Sequence, residues 1–358
     1  MKKKNYSADQ IQVLKASEHI RLRPGMYIGS QNFQGFTQLI KDCIKEAVMS
    51  YGFKSIKVNL SENGDSTIRL SEPGNQTIQS SWTKISNNWK GVGICWCVLA
   101  SLSERMSITY RGSNMELTDE FHQGESDREI ERLEIDDGEV EARFQLDKSI
   151  WGENFRYNYQ YFSNCLREYA FLDSNISITL TYGFDGRDCL EHFHFDGGLR
   201  DLLELERLKY SSFNFFELDF DHDFGEFKFY ASLSYRTYVF GDSHILSFAN
   251  YEETIGHGVH LTGLLEGLSR GLKKYIKTEQ LETEYKVTLK EVKKYLILGV
   301  HVTLDDPYYL GATKSKLGNK GMKKKISDFV EEQIYLTLSG NQELAKDLLT
   351  KFSVHTLC

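Results

Sequence analysis

Proline is scarce in this chain, three in 358 residues, and no apolar run approaches the roughly 20 residues that a membrane helix needs. The basic start, Met1-Lys2-Lys3-Lys4, leads into no apolar h-region. A secretory signal is therefore not expected, and a cytoplasmic location is. The six cysteines show no CxxC pair, and Cys95 and Cys97 stand one residue apart inside an apolar run. That spacing is too close for an ordinary zinc finger, so the expectation is reduced, mostly buried thiols. An excess of positive charge is also missing: the formal net charge is -8, which argues against a surface generally attractive to nucleic acid. There is no internal repeat and no low-complexity segment.

The charge that is present is uneven. Acidic residues crowd Glu116 to Asp147, whereas lysines crowd Lys273 to Lys325 and end in Lys323-Lys324-Lys325. A lysine-rich face can track phosphates by counterion release, and it can equally be the solvated face of a helix.

Periodicity gives a coarse outline. Tyr6 to Leu14 reads as a short arm with Asp9 as a helix cap, and Arg23-Pro24-Gly25 breaks the helix that follows. Apolar positions Leu39, Ile40, Cys43, Ala47 and Val48 predict a helix from about Phe36 to Ser50. Ser55–Leu60 and Ser66–Leu70 alternate like a hairpin across Glu62 to Asp65. Gly91-Val92-Gly93 opens a second apolar helix through Leu102. Strands are expected at Met106–Arg111, Val140–Leu146 and Ile176–Tyr182, with a helix around Phe162–Phe171. After about Ser212 the rhythm changes to strands near Phe215, at Phe227–Tyr238 and at Ile245–Asn250. A long helix from Gly258 to Ile276, a strand at Leu296–Thr303 and a C-terminal helix follow. Two domains are expected, 1–212 and 213–358.

Several segments resemble, in order, the amino-terminal half of type IIA topoisomerase B subunits, the family of DNA gyrase B and topoisomerase IV B. They are Tyr6…Ile11-Gln12-Val13-Leu14 with Arg23-Pro24-Gly25-Met26-Tyr27-Ile28-Gly29, then Gly91-Val92-Gly93 with Leu99 to Ser103. His192-Phe193-His194 with Gly197-Gly198 follows, then His260-Leu261. The last is Pro307…Gly311-Ala312-Thr313-Lys314-Ser315-Lys316-Leu317-Gly318-Asn319. One glycine-rich string alone is weak, but this series spans nearly the whole chain. The resemblance implies an α/β (α+β) fold: a GHKL (Bergerat) sandwich followed by a ribosomal-protein S5-like transducer domain. It also implies ATP and Mg²⁺ as ligands.

In that family a glutamate acts as general base and an asparagine one turn later holds Mg²⁺. The two registers the sequence allows are Gln38 with Asp42, or Asp42 with Glu46. The first keeps the distance to the next strand and is preferred. Gln38 cannot accept a proton at neutral pH, and losing a general base costs about 10²–10⁴ in rate. The adenine-binding aspartate corresponds to Glu72, followed by Pro73, Gly74, Asn75 and Gln76, and a neighbouring threonine corresponds to Val140. The family's lid is cut to Thr77–Lys90. Lys90, Gly91, Val92 and Gly93 can still present N–H groups to an anion at a helix N-terminus. In the transducer loop the lysine that meets the γ-phosphate is Lys314, while its glutamine partner has become Ala312. His192, His194 and Asp196, and His257 with His260, have spacings that invite a metal check. The resemblance places the first pair in a structural hairpin, so no zinc site is expected.

The leading reading is a degenerate homologue of the gyrase B ATPase half, a weak or inactive nucleotide-binding and dimerising module linked to DNA topology. Its arm, with Tyr6 and Ile11, would embrace a second copy or a topoisomerase subunit without nucleotide. One alternative is a slow ATPase using Asp42 as base, Glu46 near Mg²⁺ and Lys314. The other is a nucleotide-independent nucleic-acid clamp, with DNA on the lysine-rich region. The acidic, metal-binding module that cleaves DNA in the family has no counterpart after the transducer loop, so DNA breakage is not expected. No membrane association is expected.

Overall fold

The computed structural model describes residues 14–61, 65–73, 78–79, 94–112, 115–126, 134–135, 138–184, 187–208, 217–235, 243–294, 296–311 and 313–353. Two units, Met1–Phe195 and Asp196–Cys358, each have their own core.

In the first unit, short helices α1 (Ala16–Leu22) and α2 (Gly25–Ile28) lead into α3 (Phe33–Tyr51). Helix α3 starts earlier than its apolar pattern suggests, because the Asn32 side chain accepts the Gln34 and Gly35 N–H groups, a standard N-cap. It ends where Gly52 turns left-handed at φ 71°. Its Phe36, Leu39, Ile40, Cys43, Ile44 and Ala47 are buried. Strands β1 (Ser55–Leu60), β2 (Ser66–Ser71) and β3 (Ile78–Gln79) precede α4 (Ile94–Ser101). Then come β4 (Ser103–Gly112), β5 (Met115–His122), β6 (Glu134–Ile135) and β7 (Gly138–Leu146). Helices α5 (Lys148–Trp151) and α6 (Tyr159–Leu172), with strands β8 (Ser177–Phe184) and β9 (Arg187–Phe193), complete the unit.

Seven strands form one mixed sheet in the order β5-β4-β7-β2-β1-β8-β9. β1 and β2 pair antiparallel as the alternating pattern predicts, and β1 runs parallel to β8. Alternate side chains such as Val58, Ile68, Ile108, Ala142 and Leu180 are buried on one side. Their neighbours build a polar opposite face, where Arg69, Arg111 and Arg143 all reach Glu141. Strand β5 escaped sequence analysis because it is acidic and its Asp119 points inward, buried at 3% exposure, which spoils a clean alternation. Helix α1 is tied down by Arg21, which donates to Asp147 Oδ2 (2.6 Å) and to the Ser101 carbonyl (2.8 Å). Asp9, Tyr6 and Ile11 lie outside the described residues; the cap of α1 within them is Lys15, whose N–H donates to Glu18 at 3.0 Å.

The second unit begins with α7 (Leu199–Leu208), which precedes the change of sequence rhythm but packs on strands of this unit. Strands β10 (Leu218–Asp223), β11 (Lys228–Tyr235), β12 (His244–Ala249) and β13 (Glu252–Glu253) precede helices α8 (Val259–Thr278) and α9 (Leu289–Lys293). Strand β14 (Leu296–Thr303) follows, with helices α10 (Met322–Gly340) and α11 (Gln342–Leu349) at the end. The sheet order is β10-β11-β14-β12-β13, with β12 and β14 parallel. Leu298, Val300 and Val302 join the core shared with α8 and α10, while Gly299, on the other side of β14, meets Leu199 of α7. Helices α8 and α10 lie close because Gly263, Gly267 and Gly271 offer no side chain along the contact.

Candidate functional site

Helix α3 carries Gln38, Asp42 and Glu46 one turn apart, a spacing that aligns them on one face. Gln38 Nε2 donates to Asp42 Oδ1 at 3.1 Å. Glu46 is in a different environment. Burial pushes its carboxyl up to about 7, against the pull of hydrogen bonds from the Cys95 N–H and thiol at the start of α4, and the charge of Asp42 adds to the rise. Its Oε2 is buried and has no hydrogen-bond partner among the described residues. Burial, with the charges of Glu46 and Asp42, in turn pushes the Cys95 thiol up, and burial with the charge of Glu46 pushes Cys97 up to about 12. Such thiols are poor nucleophiles.

The expectation of mostly buried cysteines needs correction. Of the five described, only Cys43 is buried; Cys95, Cys97, Cys165 and Cys189 are partly exposed, and all five are unpaired as disulfides. The first two lie on the opening turns of α4, and Cys189 lies on the edge strand β9, so each has one open side.

Glu72 sits just past β2, exposed, at φ 57°, with its carbonyl accepting the Lys54 N–H at 3.1 Å. Val140 on β7 is directly opposite Leu70 on β2, and neither is more than 1% exposed. Of the remaining first-unit candidates, Gly74, Lys90, Gly91, Val92 and Gly93 lie outside the described residues. A separate cavity of about 290 Å³ involves Arg105, Ser107, Glu120, His122 and Arg143 on β4, β5 and β7 and contains none of the candidates.

In the second unit Lys314 has left-handed backbone (φ 53°), and its Nζ lies 3.7 Å from Glu252 Oε1. Neighbouring lysines are also matched with carboxylates: Lys323 with Glu266 (2.7 Å), Lys324 with Asp328 (2.6 Å) and Lys325 with Glu226 (2.8 Å). Ala312 is outside the described residues. The histidines have local partners: His192 Nδ1 is 3.0 Å from Thr179 Oγ1, and His194 Nδ1 is 2.9 Å from the Ile176 carbonyl. His260 is fully buried against Ser247 and Thr254. Glu252, Ser247 and Thr254 were invisible as partners in the sequence, because strand, turn and helix bring them together and no spacing records it.

A seven-stranded mixed sheet accompanied by α3, α4 and α6, with polar residues at one-turn spacing on α3, is the mixed α/β fold expected from the resemblance. The comparisons with known proteins agree. The family model described as DNA gyrase B matches residues 210–356. The DNA gyrase B protein of Treponema denticola is 28% identical over 98% of this chain and 59% of its own length. The Thermotoga maritima gyrase B is 27% identical over 97% and 59%. Among solved structures, the 43K ATPase domain of Thermus thermophilus gyrase B, in complex with an aminocoumarin, matches with a TM-score of 0.77 at 23% identity, covering 94% of each chain. The topoisomerase IV ATP-binding domain of Francisella tularensis, in complex with a small-molecule inhibitor, matches with a TM-score of 0.75 at 21% identity, covering 95% of this chain and 96% of that one. The chain is similar to these DNA gyrase B proteins along nearly its whole length, and it spans about three fifths of the length of these curated relatives.

Proposed function

We propose that the first unit keeps the frame of a gyrase B ATPase domain without its hydrolytic machinery, and that the chain acts by binding and dimerisation in the service of DNA topology. The observation that carries this reading is the Gln38–Asp42 hydrogen bond. An amide stands where a base is needed, and its N–H engages one oxygen, Oδ1, of the carboxylate left for magnesium. The adenine side supports the same reading: Glu72 is exposed rather than buried beside Val140, and Val140 offers no hydroxyl. ATP and Mg²⁺, which the resemblance implies, therefore fit these residues poorly.

Calorimetry with a non-hydrolysable ATP analogue and magnesium, run beside a steady-state hydrolysis assay, tests it. Weak or absent binding with background turnover is expected. A magnesium-dependent rate that Asp42→Asn abolishes would overturn it.

That overturning result is the slow-ATPase reading, with Asp42 as base and Glu46 near Mg²⁺; burial, which pushes the Glu46 carboxyl up to about 7, disfavours it, since magnesium needs the ionised carboxylate. The nucleic-acid clamp is disfavoured, since Lys314, Lys323, Lys324 and Lys325 each face a carboxylate. Dimerisation is assigned to residues 1–14, whose Tyr6 and Ile11 follow the family's arm. Sedimentation of the intact chain and of a chain lacking the arm, with and without the analogue, should show an arm-dependent, nucleotide-independent dimer. A monomer that pairs only with the analogue would refute it.

A further inference from the structure

The segment carrying Lys314 is docked by backbone hydrogen bonds onto the turn between β13 and α8. Gly256 N–H donates to the Ser315 carbonyl (2.8 Å), Leu317 N–H to the His257 carbonyl (3.0 Å) and Val259 N–H to the Leu317 carbonyl (3.1 Å). Gly258 makes the approach possible, because a Cβ there would come within 2.7 Å of the Leu317 nitrogen. The turn is fastened in its own right: Thr254 N–H donates to the Ser247 carbonyl (2.7 Å), and His257 N–H to the Thr254 carbonyl (2.7 Å).

Beneath the turn is a buried polar chain. Thr254 Oγ1 donates to the Ser247 carbonyl at 2.9 Å, Ser247 Oγ is 2.7 Å from Thr254 Oγ1, and Ser247 Oγ is also 2.7 Å from His260 Nε2. Ser247 is 2% exposed, and Thr254 and His260 are 0% exposed. The direction of this chain can be deduced. Because the Thr254 hydroxyl hydrogen goes to the carbonyl, Thr254 Oγ1 must accept from Ser247. Ser247 has then used its one hydrogen, so its oxygen accepts from His260 Nε2–H. His260 Nδ1, buried and without a partner among the described residues, is left as a bare lone pair. The reverse direction would bury an unpaired N–H there, which is the costlier arrangement.

We propose that Ser247, Thr254 and His260 are positioning residues for the Lys314 loop: a buried, one-directional hydrogen-bond chain that fixes turn 254–258 and, through it, the docked conformation in which Lys314 lies against Glu252. This goes beyond the functional reading above and holds whether or not the chain takes nucleotide. The left-handed backbone of Lys314 fits the same picture, since a strained conformation persists only where its surroundings over-determine it.

The test uses the full chain with Thr254→Val, which keeps the shape and removes the hydroxyl, and Thr254→Ser, which restores it. Amide hydrogen exchange at Val259 and Leu317 should accelerate about tenfold in Thr254→Val, as expected for one buried hydrogen bond and the group it orphans. Exchange at Leu268 and Val330 should not change, and acylation of Lys314 should speed up relative to Lys324. Thr254→Ser should reverse each effect. Unchanged exchange at Val259 and Leu317 overturns the proposal, as does an equal rise at Leu268 and Val330. Imidazole nitrogen NMR should find His260 protonated at Nε2; a proton on Nδ1 would contradict the deduced direction.

Discussion

Gln38 donates its amide hydrogen to Asp42 across one turn of α3, at 3.1 Å. On the proposed reading, a carboxylate introduced at position 38 alone should not bring ATP hydrolysis. In Gln38→Glu two like charges would stand at i, i+4, an arrangement worth about 0.2–0.5 kcal/mol of destabilisation on a helix. The expected outcome is background ATP hydrolysis with a slightly lowered Tm above pH 6. Robust turnover by this single variant would show that the rest of the site is intact.

The two units should respond to pH in opposite senses. Glu46 has a folded pKa of about 7 against an ordinary 4.5, so between those values the folded state holds the extra proton. Stability of the first unit then falls as pH rises. Glu46→Gln should stabilise that unit at pH 8, by on the order of 1–3 kcal/mol, with the gain disappearing towards pH 4.5. Denaturant titrations at pH 5 and pH 8 would check this; a gain independent of pH would contradict it.

His260 works the other way. Burial, with the charges of His301 and His257, holds its pKa down at about 3 against 6.5. The unfolded chain takes the proton first, so this contribution is complete above 6.5 and is lost as pH falls towards 3. Protection of amides in α8 should therefore decline between pH 6.5 and 4.5 in the native chain, and this component should be absent in His260→Gln.

Gly267 faces Val330 so closely that an added Cβ would sit 2.7 Å from both Val330 Cβ and the Ser327 carbonyl. Gly267→Ala should cost about 1–3 kcal/mol by overpacking. Gly340, at the end of α10, has nothing within 4 Å of an added Cβ. Gly340→Ala should be neutral or stabilise by up to about 1 kcal/mol. Chemical denaturation of both variants separates contact from helix propensity; equal effects would mean that the α8–α10 approach is looser than described.

Asn250 joins two strand ends: its Nδ2 donates to the Leu304 carbonyl (3.0 Å), and its Oδ1 accepts the Leu304 N–H (2.9 Å). Both bonds are buried and the residue is left-handed at φ 54°. Asn250→Ala leaves two backbone groups unsatisfied, each costing about 1–3 kcal/mol. A loss under 1 kcal/mol in denaturant titration would mean that water or a shifted backbone replaces them.

Much of the scaffold was legible in one dimension because burial imposes periodicity. Val58 and Ile68 alternate with polar neighbours, Leu39 and Cys43 recur at one turn, and Leu296–Thr303 reads as a strand with the limits it has in the fold. The family pattern likewise singled out Gln38, Asp42, Glu72 and Lys314, since residue type and order survive in a sequence. What the sequence could not hold is which groups meet. Asp119 turns inward and hides β5, Glu46 meets Cys95 across two helices, Glu252 receives Lys314, and Ser247 receives His260. Each of these is a contact between separate segments, where desolvation and hydrogen-bond direction depend on distance in space, and only the tertiary structure sets that distance.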